Sequence, residues 1–125
     1  MTTLLALYRR PDGGPAAQAT FEHRYATEHL PLVAGTPGLR ETQVRRVTEA
    51  LGGETDLILV TSMRFDDRAA LDAGLASDAM RAAGRNLREI GPGLATLVVL
   101  EDMPETDAAA AATVDTVATT SEEGR

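Results

Sequence analysis

Apolar residues in this chain fall into short blocks separated by turns rich in Gly and Pro. Three of these blocks, at 2–9, 56–63 and 94–100, are apolar at most positions. Strands that are covered on both faces have this pattern, so we predict three such strands. A fourth block, at 39–50, alternates like a strand but carries three Arg, which predicts a semi-exposed strand.

Between the strands predicted at 2–9 and 39–50, apolar residues recur at spacings of three and four, which predicts a helix from Pro15 to about Val33. The buried stripe of this helix comprises Ala17, Phe21, Tyr25, His29 and Leu32. Pro31 interrupts the stripe and has no N–H to donate to the carbonyl of Thr27. We therefore expect a kink or a short break in the helix at this point.

A second helical region follows the strand predicted at 56–63 and is divided into two pieces. Asp66 is the predicted N-cap of the first piece, which spans 68–76. Ser77 is the predicted N-cap of the second piece, which runs to about Ile90 and stops at Gly91-Pro92-Gly93.

The predicted order of elements is βαββαβ, which is typical of a ferredoxin-like α+β fold. In that fold, a four-stranded antiparallel sheet carries both helical regions on one face. The other face of these strands is also apolar, and no third layer remains in the sequence to cover it. The sheet of a second copy is the simplest cover. We therefore predict a homodimer in which two sheets form a dimeric α/β barrel.

We assign this domain to residues 1–103 and an acidic, Ala/Thr-rich tail to residues 104–125. The tail has five acidic side chains, one Arg and no apolar stripe, so we expect it to be disordered. The whole chain has a net charge of −7, and its 12 basic residues are all Arg. A negative chain without a basic face repels phosphate backbones, which argues against nucleic-acid binding.

Several other classes of site and location are disfavoured by composition. The chain has no Cys, which excludes disulfides and thiolate chemistry. It shows neither a signal peptide nor a run of about 18 apolar residues, so we expect no membrane association and a cytoplasmic location. Two His and scattered carboxylates form no recognisable metal-ligand set. Ser62 lacks the context of a hydrolase nucleophile, and the Gly-rich turns lack a nucleotide-binding fingerprint.

His29 is the strongest candidate for chemistry in the sequence. His23 lies on the other side of the first helix and is predicted to be solvated, whereas His29 lies at the edge of the buried stripe. An imidazole at a cavity wall can move protons on a bound substrate near neutral pH. The alternative is a structural role, in which His29 donates to the carbonyl that Pro31 leaves free and closes the helix.

Four arginines near strand ends, Arg9, Arg10, Arg45 and Arg46, have two interpretations. Guanidinium groups pair well with carboxylates, so these side chains are candidates for holding an anionic substrate. They also balance the acidic surplus and solvate the strand ends, and we favour this second interpretation.

Three motifs in the chain resemble the EthD family over residues 3 to 101. They are Tyr8-Arg9-Arg10-Pro11 at the end of the first strand, Phe21-x-x-x-Tyr25-x-x-x-His29-x-Pro31-Leu32 on the helix, and Pro37-Gly38-Leu39 before the second strand. The resemblance implies a dimeric α/β barrel, a pocket between sheet and helices in each subunit, no cofactor, and His29 at the position of the family histidine. Relatives often carry Asp and Phe where this chain has Asn86 and Ile90, so an acidic partner for His29 is missing.

The function that follows is a cofactor-free enzyme that transfers a proton in the decarboxylation, isomerisation or cyclisation of a small aromatic, polyketide-like or lactone substrate. His29 and Tyr25 are the predicted catalytic residues: His29 transfers the proton, and Tyr25 or Tyr8 orients His29 or the substrate. The predicted substrate-binding residues are Tyr8, Phe21, Thr61, Ser62, Asn86 and Thr96. One alternative is a non-catalytic dimeric module that binds a hydrophobic small molecule, and a weaker one is a cofactorless oxygenase. A polar pocket around His29 would favour the enzyme, and a dry apolar pocket would favour the binding module.

Overall fold

The computed structural model describes residues 1–103, so the predicted tail at 104–125 lies outside the described residues. The elements are the strand β1 (Thr2–Arg9), the helix α1 (Gly14–Arg24), a π-helical turn (Tyr25–His29), the helix α2 (Leu30–Ala34), the strands β2 (Glu41–Arg46) and β3 (Leu57–Phe65), the helices α3 (Arg68–Leu75) and α4 (Asp78–Ile90), and the strand β4 (Ala95–Glu101). The predicted βαββαβ order and ferredoxin-like α+β class are confirmed. Within residues 1–103, no helix is both long enough and apolar enough to cross a membrane.

The four strands form one antiparallel sheet in the order β2-β3-β1-β4. Every second residue of β1 is buried, beginning with Thr2 and ending with Tyr8, while the residues between them are half-buried. Because directly opposed residues share a face, the buried residues of β1 and every second residue of β3 from Leu59 to Phe65 form one continuous inner face under the helices. The other side, which we call the open face, carries Leu5, Leu7, Val60, Ser62 and Val98.

The strand at the edge next to β3 is shorter than predicted. The block at 39–50 yields a strand only over Glu41–Arg46, and all six of its residues are exposed. This strand pairs on one side only, with β3, so its second row of backbone groups faces away from the sheet. Two of the three Arg in the block, Arg45 and Arg46, lie in this strand, and their exposed side chains suit its position at the edge, as the sequence pattern indicated.

Pro31 does not break the first helix. The chain instead passes through the π-helical turn, in which the N–H of Leu30 donates to the carbonyl of Tyr25 five residues earlier. Because Pro31 has no N–H, regular α-helical pairing cannot continue unchanged through this region, and a wider turn keeps the chain helical. Tyr25 and His29 are the two buried residues of this turn, so the irregularity lies at the point where the helix meets the core.

The caps of the second helical region correct one prediction and confirm another. The N-cap of α3 is Asp67, whose carboxylate accepts from the N–H of Ala70 at 2.8 Å, and not Asp66. Asp66 instead pairs with Arg40, which lies before β2, at 2.7 Å. Ser77 caps α4 as predicted and accepts from the N–H of Met80 at 3.2 Å.

Candidate functional site

A cavity of about 110 Å³ lies between the inner face of the sheet, the π-helical turn and α4. Its lining comes from every layer of the fold and consists of Leu4, Tyr8, His29, Val33, Met63, Leu75, Met80, Ala83, Gly84, Leu87 and Leu97. Only Tyr8 and His29 bring polar groups to this lining. Leu97 on the edge strand β4 is 53% exposed, so the cavity reaches the surface beside it. An apolar cavity with a few polar groups is the usual form of a small-molecule site.

Aromatic rings connect His29 to the centre of the sheet. The His29 ring is stacked on Tyr25, with ring centroids 5.0 Å apart and an interplanar angle of 22°. Tyr25 in turn meets Tyr8 edge-on at 4.9 Å and Phe21 at 5.7 Å. The spacing of four residues between Phe21, Tyr25 and His29 places them successively along one side of the helical region. Three residues of the predicted stripe, Phe21, Tyr25 and His29, therefore pack against one another beside the cavity.

Three buried hydroxyl groups lie behind this row of rings. The hydroxyl of Tyr25 donates to that of Tyr8 at 3.0 Å and lies 2.6 Å from Oγ1 of Thr61. Burial raises the pKa of Tyr8 and of Tyr25. Both phenols therefore stay protonated at any ordinary pH, and they serve as neutral hydrogen-bonding groups rather than as bases.

His29 is buried, with 5% of its surface exposed. Within residues 1–103, its Nδ1 atom has no hydrogen-bond partner, and neither has Oδ1 of Asn86. Burial lowers the pKa of His29, and the Asn86 side chain and the Ala83 backbone counteract part of this effect. The imidazole is therefore neutral near pH 7, which is the form that can accept a proton.

The Glu28 carboxylate beside His29 is engaged elsewhere. Asn86 donates through Nδ2 to Glu28 at 3.0 Å, and Arg24 pairs with the same carboxylate at 2.8 Å. Arg24 lowers the pKa of Glu28, which remains ionised. These bonds fix the amide of Asn86 with its nitrogen towards Glu28. An uncharged amide therefore lies near His29.

The structure separates the predicted substrate-binding residues into three groups. Tyr8 lines the cavity. Phe21, Thr61 and Asn86 contact the residues around it, and they support the site without being part of its lining. Ser62 and Thr96 lie on the open face, since Ser62 is opposite Leu5 and Thr96 is opposite Leu7. The strand register therefore places these two predicted substrate-binding hydroxyls on the opposite face of the sheet from the cavity.

The apolar half of the cavity was not identified from the sequence. Met80, Ala83, Gly84 and Leu87 of α4 all line it. Their spacing of three and four residues is that of a helix face, so a stripe analysis of α4 would have found them. Leu97 carries no such signal, because β4 is apolar at most of its positions.

Three of the four arginines near strand ends form ion pairs or hydrogen bonds. Arg46 pairs with Glu22, Arg45 donates to Gln43, and Arg9 donates to the carbonyl of Gly93. These bonds agree with the solvating role. Within residues 1–103, no group of three or more His, Asp or Glu side chains is placed to hold a metal ion.

Three solved structures of other proteins are similar to this chain. A crystal structure of an ethyl tert-butyl ether D (EthD) family protein from Bacillus halodurans matches with 32% identity over 82% of this chain and 99% of that chain, at a TM-score of 0.73. A dimeric protein of unknown function and ferredoxin-like fold from Bacteroides fragilis matches with 19% identity over 81% of this chain and 95% of that chain, at a TM-score of 0.61. A dimeric ferredoxin-like protein of unknown function from Jannaschia sp. CCS1 matches with 22% identity over 82% of this chain and 100% of that chain, at a TM-score of 0.59.

The last two structures are less than 25% identical to this chain and show the fold alone. No protein-family model matches the chain, and no curated protein does.

Proposed function

Because the chain belongs to the EthD family, we propose that its cavity binds a small, largely apolar molecule and that His29 transfers a proton on that molecule. The observation that carries this proposal is the buried, neutral imidazole of His29 in the lining of a largely apolar cavity. An imidazole that is neutral near pH 7 can accept a proton from a molecule bound beside it.

The substrate is a small carbonyl compound with an acidic C–H bond, such as a lactone or a ring ketone. The neutral imidazole of His29 takes the proton, its lone pair becomes an N–H bond, and the C–H electrons form an enolate. Return of a proton to the same or another carbon completes an exchange or an isomerisation, so no oxidant or cofactor is needed. One positioned base of this kind contributes roughly 10²–10⁴-fold in rate.

The size of the cavity limits the part of the ligand that it encloses. A closed cavity of about 150 Å³ holds benzene. The cavity of about 110 Å³ therefore admits a five-membered ring, or one end of a larger molecule that leaves beside Leu97. This favours monocyclic substrates or substrate ends among the classes predicted from the sequence.

A non-catalytic binding module is the second candidate, and the apolar lining favours it. Nine of the eleven lining residues have no polar side chain. A module of this kind would use Tyr8 and His29 only to orient its ligand. A cofactorless oxygenase is a weaker third candidate, since the chain has no Trp or Cys to contribute to such chemistry.

The homodimer predicted from the sequence also belongs to this proposal. The similar proteins from Bacteroides fragilis and Jannaschia are described as dimeric. Leu5, Leu7 and Val98 on the open face support the same assembly, because apolar side chains there gain a cover when two sheets pack face to face. We therefore propose a dimeric α/β barrel with one cavity in each subunit.

Deuterium exchange tests the proton transfer without knowledge of the natural substrate. α-Angelica lactone, a five-membered ring with acidic protons next to its carbonyl, is incubated with the protein in D₂O and followed by ¹H NMR. We expect exchange above the buffer rate, and we expect His29→Asn to lower that excess by about 10²-fold or more. His23→Asn is the matched control, because His23 is exposed on the same helical region, and it should exchange like the wild type.

The outcome separates the two candidates. Exchange at the buffer rate together with saturable binding of the lactone would contradict the enzyme and support the binding module. Exchange that His29→Asn leaves unchanged would remove His29 from the chemistry.

A further inference from the structure

The three buried hydroxyls behind the cavity form a chain with a defined direction. The single proton of the Tyr25 hydroxyl is donated to the oxygen of Tyr8. Tyr25 therefore has no proton left for Thr61, and at 2.6 Å Oγ1 of Thr61 must be the donor to Tyr25. Thr61 and Tyr25 thus both donate towards Tyr8.

This direction leaves one proton unused. The Tyr8 hydroxyl accepts from Tyr25, so its own O–H remains available. Within residues 1–103, no acceptor is bonded to this O–H, although Tyr8 is 1% exposed. A buried donor without an acceptor is costly unless a ligand supplies one. Tyr8 lines the cavity, whereas Tyr25 and Thr61 do not.

We propose that the Tyr8 hydroxyl donates a hydrogen bond to a carbonyl or enolate oxygen of the ligand, and that Thr61 is a positioning residue that keeps this hydroxyl pointing its proton into the cavity. The inference rests on the proposed function, because it assigns the polar end of the ligand that this function requires. The chain of donors selects an acceptor and disfavours a ligand that presents an N–H or O–H at the same place.

Two features make Tyr8 suited to this role. Burial raises the pKa of Tyr8, so the donor is not lost in alkaline solution. The accepted bond from Tyr25 polarises the Tyr8 O–H and strengthens the bond that Tyr8 itself donates. A neutral donor aimed at a carbonyl oxygen stabilises the negative charge that forms there when a neighbouring C–H proton is removed.

A pair of probes of the same shape isolates this hydrogen bond. Cyclopentanone carries the acceptor oxygen, and methylenecyclopentane replaces that oxygen with a CH₂ group. The dissociation constants of both probes are measured by ligand-observed NMR for the wild type and for Tyr8→Phe, Thr61→Val and Thr61→Ser. A change in packing alone would alter the binding of both probes together, so the ratio of the two constants is the readout.

We expect Tyr8→Phe to weaken the ketone relative to the alkene by about three- to ten-fold, the usual worth of one hydrogen bond. Thr61→Val should also weaken the ketone relative to the alkene, by a smaller factor, and Thr61→Ser should restore the wild-type ratio of the two dissociation constants. In the Tyr8→Phe background, Thr61→Val should have no further effect on the ratio, because Thr61 acts only through Tyr8.

A spectroscopic measurement reads the same hydrogen bond directly, and its first part needs only the wild type. The carbonyl stretch of bound ¹³C-labelled cyclopentanone should lie at lower wavenumber than in hexane. This shift should be lost in Tyr8→Phe, and its retention there would assign the donor to another group, such as His29, and overturn the proposal. An unshifted carbonyl in the wild type would overturn it as well.

The results distinguish this inference from the function on which it rests. Binding of both probes with a ratio that Tyr8→Phe and Thr61→Val leave unchanged would overturn the role of Tyr8 while the cavity remains a ligand site. Binding of neither probe at millimolar concentration would overturn the ligand site and the role of Tyr8 together.

Discussion

The protonation state of His29, the histidine at the cavity wall, is set by its neighbours. Its ring is stacked on Tyr25, and the carboxylate of the preceding residue, Glu28, is bonded to Arg24 and Asn86. A carboxylate bonded directly to His29 would favour the charged imidazolium, whereas an amide and an apolar cavity favour the neutral ring. The amide of Asn86 beside it, which carries no charge, therefore leaves His29 in its neutral, basic form.

The lowered pKa of His29 makes a prediction about stability. The folded protein resists protonation of His29, whereas the unfolded chain takes up a proton below about pH 6.5. The stabilising contribution is therefore complete above pH 6.5 and is lost as the pH falls towards the lowered value, with a slope of at most about 1.4 kcal/mol per pH unit. Urea denaturation at pH 7.5, 6.5 and 5.5, at constant protein concentration, measures this slope.

The slope is assigned by comparing variants. The carboxylates titrate in every protein of the series, so only the difference from the wild type reports on position 29. The free energy of unfolding of His29→Asn should fall less steeply below pH 6.5, and that of His23→Asn should follow the wild type. Parallel curves for the wild type and His29→Asn would show that the ring has the same proton affinity folded and unfolded.

Among the elements, the helices are placed by close contacts that propensity alone does not reveal. Gly74 in α3 is buried against the ring of Phe65, and a Cβ atom there would come within 2.9 Å of that ring and 3.0 Å of Thr36. Gly84 in α4 has only the end of Arg88 near it, at 3.7 Å. The glycine in α3 therefore allows a close contact that a Cβ atom would disturb, whereas the glycine in α4 has room for a Cβ atom.

Replacing each of these glycines with Ala should change stability in opposite directions. Gly74→Ala gains helix propensity but forces apart Phe65 and Thr36, and we expect a net loss of about 1–2 kcal/mol. Gly84→Ala gains the propensity without the clash and should stabilise the protein by about 0.5–1 kcal/mol. Chemical denaturation of both variants measures the difference, and a Gly74→Ala protein as stable as the wild type would show that α3 can move away from the sheet.

In the molecule as a whole, the sheet has one face under the helices and one open face. The half-buried Leu5, Leu7 and Val60 lie on the open face, in the middle of the sheet. A small domain buries only part of its apolar surface alone, so covering this face adds stabilisation that one chain does not provide. The cavity with His29 lies on the inner face, so packing of two open faces leaves each cavity within its own subunit.

Sedimentation equilibrium at micromolar concentration tests the proposed dimer. We expect the wild type to sediment as a species of twice the 13.2 kDa mass of the chain. Leu5→Glu places a charge at the centre of the open face and should yield folded monomer, as checked by circular dichroism. Leu51→Glu is the matched control, because Leu51 is 88% exposed in the turn after β2, and it should remain dimeric. A monomeric wild type would contradict the dimer and the barrel together.

Local physical chemistry accounts for what the sequence by itself determined. The order of the elements, the buried stripe with Tyr25 and His29, and the Ser77 cap follow from periodicity and capping, which involve residues a few positions apart. These features depend on neighbours in the chain, so they can be predicted before any contact between distant elements is known.

Contacts between distant residues decided the rest. Asp66 and Asp67 are equally suited to cap α3, and Arg40, 26 residues before Asp66, pairs with the first and leaves the second to the helix. Strand register, which depends on pairing across the sheet, placed Ser62 on the open face and Thr61 on the inner one. The bond between Tyr25 and Thr61 spans 36 positions in the chain, and the direction it imposes on Tyr8 exists only once β1, β3 and the π-helical turn are packed together.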